Sequence, residues 1–390
     1  MFSKKSWFVP AASIVFGFLG VSAANAEDPA GGGDDNGLEL VGVIPNPGPN
    51  PLGRADISYV DRRGERYYLA DASNSAVDVF NAENGSLLGR ISGFNGTATG
   101  TIKACGGREG QGPSGVLVTN DKRLWVTDSP GLVKVFDLED AEPPFTTVTP
   151  IATISTGATC RADELAFDPK DHVIIVGNPE QLTLGGGTPF ATLISSDPPY
   201  ATHNIYFPTA GGIEQSVWDR ESHHFLLNVP GVGVAVIDPK TFTVKTHPTP
   251  GCDGTGLALG PLRHLLVGCG SGPALILNAS DLDATPKIIP EVTGSDEVWF
   301  NSGDHRFYAT SGFLLPGPPT LSVIDAETNT FLESVPTDFF SHSVAASSEN
   351  NHVFVPILWR GAPFQHDACH VTFPELPAHQ GCIFVYARQE

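Results

Sequence analysis

Four carboxylates and one imidazole recur at the same point of a repeating sequence pattern: Asp56, Asp163, Glu214, Asp296 and His342. Ser114 and Thr255 stand at the two remaining copies of that position. Carboxylates drawn together from separate segments offer hard oxygen ligands suited to Ca²⁺ or Mg²⁺, and an added imidazole extends the choice to Zn²⁺, Mn²⁺ or Fe²⁺. The metal candidates are therefore Asp56, Asp163, Glu214 and Asp296, with His342 as ligand or proton carrier. Arg54 and Arg161 lie two positions upstream of Asp56 and Asp163. They could neutralise the acidic ring, or join Ser114 and Thr255 in contacting a ligand. Glu164, Gln215 and Glu297 come one residue later, which on a strand means the opposite face. They read as groups that hydrogen-bond neighbouring segments.

A second chemical cluster fills the longest insertion, residues 358–382, which contains Trp359, Arg360, His366, Asp367, Cys369, His370, Glu375, His379 and Cys382. His366 and His370 are four residues apart, the spacing that aligns side chains on a helix. Pro363 and Pro374 leave room for only about two turns. Two readings stay open: a disulfide-pinned lid with histidines facing solvent, or a lid that brings His366, His370 or His379 to the acidic cluster as ligand or general base. His342 and His370 are the candidate catalytic residues. His223 and His224, and the series His172, His264, His305 and His352, fall in hairpins away from the cluster.

The elements that must position these groups are short strands. A unit of four recurs, its third strand the clearest: Val77–Phe80, Val133–Phe136, Ala191–Ile194, Val234–Ile237, Ala274–Leu277, Leu321–Ile324 and Ile383–Tyr386. Asn, Asp or Ser often follows and starts the next turn. The aligned positions from Asp56 to His342 are 41 to 58 residues apart, the length of a four-stranded blade. The fold class is all-β, a seven-bladed β-propeller. Its last blade, from His342 to Arg388, supplies three strands, and residues 38–44 supply a fourth from the other end of the chain. Such closure removes exposed sheet edges. In this topology the loops leading into first strands and those joining strands two and three share one face, so the acidic positions and the insertion meet at the channel mouth.

Segments such as RADELAFDPKDHVIIVGN, DISYVDRRGERYYLADASNSAVDVFNAENG and LSVIDAETN resemble the repeats of exported bacterial YVTN/YncE-like propellers, in the quinoprotein-dehydrogenase-like group. The likeness covers nearly all of the chain after its leader. The tetrapeptide itself is replaced by Leu124-Trp125-Val126-Thr127-Asp128 and Tyr68-Leu69-Ala70-Asp71. The resemblance implies the fold. It implies no single activity, because the group includes binding proteins, lactonases, lyases and cofactor enzymes.

The chain is expected to be periplasmic or secreted. Residues 1–26 read as a signal peptide: Lys4 and Lys5, an apolar run from Val9 to Val21, and Ala24-Asn25-Ala26 as cleavage site. Residues 27–37 read as a disordered lead-in, and 38–390 as one propeller domain. Six cysteines follow the leader, an even number suited to disulfides. Their placement suggests the local pairs Cys105–Cys160, Cys252–Cys269 and Cys369–Cys382, all at the mouth face.

The whole sequence carries a formal charge of −21; without the leader's two lysines, a strongly acidic monomer remains. Such a surface repels nucleic acid and anionic membranes. There is no GxSxG, HExxH or CxxC motif, and the Gly-rich loop at residues 178–189 lacks the Lys-Ser/Thr of a phosphate cradle. Residues 312–319 add an apolar rim. The absence of a Cys-Cys pair weighs against a quinone cofactor. Two functions remain: binding of a small ligand, divalent metal ion or partner protein at the mouth, or metal-dependent hydrolysis or elimination on a lactone-like molecule.

Overall fold

Short Val-, Ile- and Tyr-rich runs between Asn, Asp and Gly favour strands over helices, and the computed structural model is built accordingly. It describes residues 37–61, 65–97, 111–139, 141–145, 147–180, 187–312, 318–359, 361 and 366–388. The expected signal peptide, nearly all of the lead-in, Cys105, Arg360, half of the loop at 178–189 and most of the loop at 312–319 lie outside these residues.

Seven four-stranded antiparallel sheets form the blades among the described residues. Blade three runs Leu165–Asp168, Val173–Asn178, Phe190–Ser195 and Thr202–Tyr206 from the channel outward. Blades one, two, four, five and six repeat this order, with first strands Ser58–Asp61, Val116–Val118, Ser216–Asp219, Asp253–Leu259 and Ser295–Asn301. In blade seven, Ala345–Ala346, Val353–Ile357 and Cys382–Arg388 are joined by Leu38–Pro45, which pairs from Leu38 opposite Arg388 to Pro45 opposite Cys382. The chain's two ends thus complete one sheet, as the sequence pattern requires. First strands touch their neighbours around the full circle, including blade seven with blade one.

Side chains interleave between blades. Trp125, Tyr67, Tyr68 and Tyr308 are fully buried and supply large apolar surfaces to the core between sheets. The hairpins after third strands use the expected Asx turns: the Asp325 carboxylate accepts from the backbone N–H of Thr328 at 2.7 Å, and that of Asp238 from Lys240 at 2.8 Å.

Two glycines let the blades close in at the mouth. Gly115 and Gly256 directly follow Ser114 and Thr255. A Cβ at either would collide with a backbone carbonyl oxygen of the next blade, that of Asp163 or Asp296. The Thr127 hydroxyl adds a clip, donating to the Asp163 carbonyl at 2.7 Å, and the Asn228 amide donates to the Gly256 carbonyl at 2.6 Å.

The cysteine placement holds where it is described. Cys252–Cys269 and Cys369–Cys382 are disulfides. Cys160 is disulfide-bonded as well, and its expected partner Cys105 lies outside the described residues.

Candidate cation site at the channel mouth

Asp56, Asp163 and Glu214 sit in loops leading into the first strands of their blades, held by backbone bonds, and Asp296 sits near the start of the first strand of blade six. Asp56 N–H donates to the Ala70 carbonyl at 3.0 Å, and Asp163 N–H to that of Gly177 at 2.8 Å. Glu214 N–H reaches the Asn228 carbonyl at 3.0 Å. Position is therefore set by rigid strands, while the side chains turn inward.

Three of them meet tightly. One ligand atom each from Asp56, Glu297 and His342 lies within 4.8 Å of the other two, contributed by blades one, six and seven. His342 is buried, and its ring is oriented from behind: Nε2 donates to the Ala55 carbonyl at 3.1 Å. Nδ1 then faces the acids, 3.4 Å from Asp296 Oδ2 and 3.8 Å from Glu297 Oε1. Burial works against the imidazolium, but Asp296, Glu297 and Asp56 outweigh it and raise the His342 pKa to about 9. Metal-binding histidines commonly donate their second nitrogen to a carbonyl in this way.

Strand alternation puts Glu297 on the wrong face, although its side-chain hydrogen bond with Ser343 of blade seven is the inter-blade role its position suggests. The first strand of blade six has a register shift between Ser295 and Val298. Alternation fails across such a bulge, so Asp296 and Glu297, although adjacent, both turn toward His342. The only sequence signal was the Asp-Glu pair itself. Gln215 does what its position suggested: its side-chain oxygen accepts the Leu257 and Val298 N–H groups at 2.7 and 3.3 Å, tying blades four, five and six.

The other candidates divide by role. Arg161 extends into the ring, its Nη2 2.6 Å from Asp163 Oδ2 and its Nη1 donating to Asp56 Oδ2. Burial opposes the charged guanidinium, yet Asp163, Asp56 and further acids hold its proton more tightly than usual. Arg161 thus neutralises the ring, one of the two roles open to it. Asp56 is desolvated, but Arg161, His342 and Arg54 hold its carboxyl below the usual value, with help from the Ser114 hydroxyl. Glu214, Glu164 and Glu297 go the other way. Burial, and for Glu214 the charges of Asp163 and Asp296, push them well above the ordinary glutamate range. The Thr255 hydroxyl lies 2.6 Å from the Ser295 carbonyl oxygen, a bond between blades five and six.

The insertion's histidines are engaged away from the acidic cluster. Ala368–Thr372 forms one short helix, with the Asp367 side chain accepting from His370 N–H at its start. His370 Nδ1 donates to the Leu376 carbonyl at 2.7 Å. His379 stacks on Trp359 at 4.4 Å. His366 Nδ1 lies 3.1 Å from Asp338 Oδ1, and Asp338 also accepts from Ala368 N–H at 3.3 Å. Asp338 is buried in the loop that leads to His342, so these bonds dock the insertion beside the mouth without spending its imidazoles on the acidic cluster.

A separate depression of about 440 Å³ opens between blades four and five. Backbone from Gly231, Gly251 and Gly272 lines it, with Thr249, Cys252 and Asp253.

The architecture is widespread: 1489 chains of solved structures match it, a breadth that speaks to fold and not to activity. One is a chain in "Crystal Structure of Mitotic Checkpoint Complex", with a TM-score of 0.64 at 15% identity over 97% of this chain and 99% of that one. Searches with the sequence match no family model and no curated protein.

Proposed function

We propose that this chain is an exported binding propeller of the YVTN/YncE-like kind that takes up a divalent cation at its channel mouth. One observation carries the reading: Asp56, Glu297 and His342, from three blades, present ligand atoms within 4.8 Å of one another, with the imidazole steered by the Ala55 carbonyl. Two carboxylate oxygens and one imidazole nitrogen favour a borderline ion such as Zn²⁺ or Mn²⁺ over all-oxygen Ca²⁺ or Mg²⁺.

Export is supported by the disulfides, which persist in oxidising compartments. No helix among the described residues is long and apolar enough to cross a membrane.

Metal-dependent hydrolysis or elimination on a lactone-like molecule is the second reading. Three protein ligands leave positions for water or a carbonyl oxygen, where a bound cation acts as Lewis acid.

The test is elemental analysis of protein purified without chelator, followed by titration with Zn²⁺ and Mn²⁺. One ion per chain in the wild type, lost in Asp56→Asn and His342→Ala, supports the site. Equal and negligible binding in all three proteins overturns it. Turnover of lactones by the loaded wild type, absent from both variants, would select the enzymatic reading.

A further inference from the structure

Asp56 serves two partners. It is one corner of the cluster with Glu297 and His342, and it accepts a hydrogen bond from Arg161 Nη1. Arg161 comes from the loop before blade three and keeps its second arm on Asp163, at 2.6 Å. The guanidinium therefore lies across blades one and three, with its charge beside one of the cation's own ligands. Its side chain is mostly buried, so water screens that charge weakly.

We infer that Arg161 is a built-in competitor for the cation, a tethered positive charge that must release Asp56 before an ion is fully ligated. This rests on the reading of Asp56, Glu297 and His342 as the cation site. The geometry permits such an exchange. Asp163 holds Nη2 independently of Asp56, and the charges of Glu214 and Asp296 also bear on the guanidinium. An arm freed from Asp56 thus stays in an acidic environment. Arginine suits this role because its rigid fork spans two carboxylates, which the point charge of lysine does not. Arg161 would then set affinity and keep the mouth neutral when no ion is bound.

The experiment is calorimetric titration of the full-length mature protein with Mn²⁺ and Zn²⁺, comparing wild type, Arg161→Gln, Arg161→Lys and Asp56→Asn, with circular dichroism to confirm folding. A unit charge a few ångströms from a divalent ion costs at least about tenfold in affinity at an effective dielectric near 20. Arg161→Gln should therefore bind at least about tenfold more tightly than wild type. Arg161→Lys should fall between them, and Asp56→Asn should not bind. Stoichiometric binding of equal affinity in wild type and Arg161→Gln, still lost in Asp56→Asn, overturns the competitor role and leaves the cation site standing. Absence of binding in both wild type and Arg161→Gln overturns both. If Arg161→Gln does not fold, Arg161→Lys decides: an affinity equal to wild type refutes the inference, and a higher one supports it.

Discussion

Replacing Glu214 by glutamine should change how stability depends on pH, and the size of the change can be worked out. Glu214 is desolvated and faces Asp163 and Asp296, so its folded-state pKa lies well above the 4.5 of an ordinary glutamate, although Arg161 partly opposes the shift. The folded state thus binds a proton that the unfolded state releases above 4.5. Stability from this group is fully present below 4.5 and is lost as pH rises toward the folded value. The slope is about 1.4 kcal/mol per pH unit for each such proton.

Glutamine keeps the shape of the neutral carboxyl and does not titrate. Relative to wild type, Glu214→Gln should gain stability as pH rises above 4.5, at a slope of at most about 1.4 kcal/mol per pH unit up to the folded-state pKa. Urea denaturation at pH 5, 6 and 7 in the presence of chelator measures the difference directly. Curves of stability against pH that run parallel for the two proteins would refute the reasoning, because they would mean that Glu214 ionises equally in both states.

Asp56→Asn should show the opposite trend. Its carboxyl is held below 3.8 by Arg161, His342 and Arg54 despite burial, so its stabilisation is present above 3.8 and lost as pH falls through the folded value. The variant should lose about 3–5 kcal/mol at pH 7, and the deficit should close in strong acid when followed by thermal melting. Gly256→Ala forces a Cβ against the Asp296 carbonyl; calorimetry should show a cost of about 1–3 kcal/mol, and ion titration a weaker site. Replacing Cys252 and Cys269 together by serine should lower stability in chemical denaturation by about 2–4 kcal/mol, with near-native circular dichroism.

The fold was legible because its signals are local and repeated. Val77–Phe80, Val133–Phe136 and their counterparts each carry a strand's residue preferences, and the repeats recur at blade-length spacings of 41 to 58 residues. The pairing of Leu38–Pro45 with Cys382–Arg388 followed from a blade one strand short at one end of the chain. Cys252–Cys269 and Cys369–Cys382 followed because the topology places both partners of each pair on one face. The site was legible only to the level of which residues reach the mouth. Asp56, Asp163, Glu214, Asp296 and His342 were identified as a set, but not as partners. The contact of Arg161 with Asp56 spans 105 residues and depends on how far a long side chain extends across the channel. Glu297 was assigned to the wrong face because period-two alternation holds only on a regular ladder, and the blade six ladder shifts at that point.

Six acids crowd the mouth, and the groups around them offset their charge. Asp56, Asp163, Glu164, Glu214, Asp296 and Glu297 outnumber the nearby cations Arg54, Arg161 and His342. Burial and mutual repulsion raise the carboxyl pKa values of Glu164, Glu214 and Glu297 well above the ordinary glutamate range, which favours their neutral forms. Arg161 answers the charges of Asp56 and Asp163, and His342 takes up the charge of Asp296. The charge of the cluster is therefore reduced from within, by the raised proton affinity of the glutamates and by fixed cations beside the aspartates. Because the bulge turns Glu297 toward His342, one carboxyl of raised proton affinity stands within the cluster proposed to receive an ion. Cation binding there would compete with protons, so the proposed site should respond to pH as well as to cation concentration.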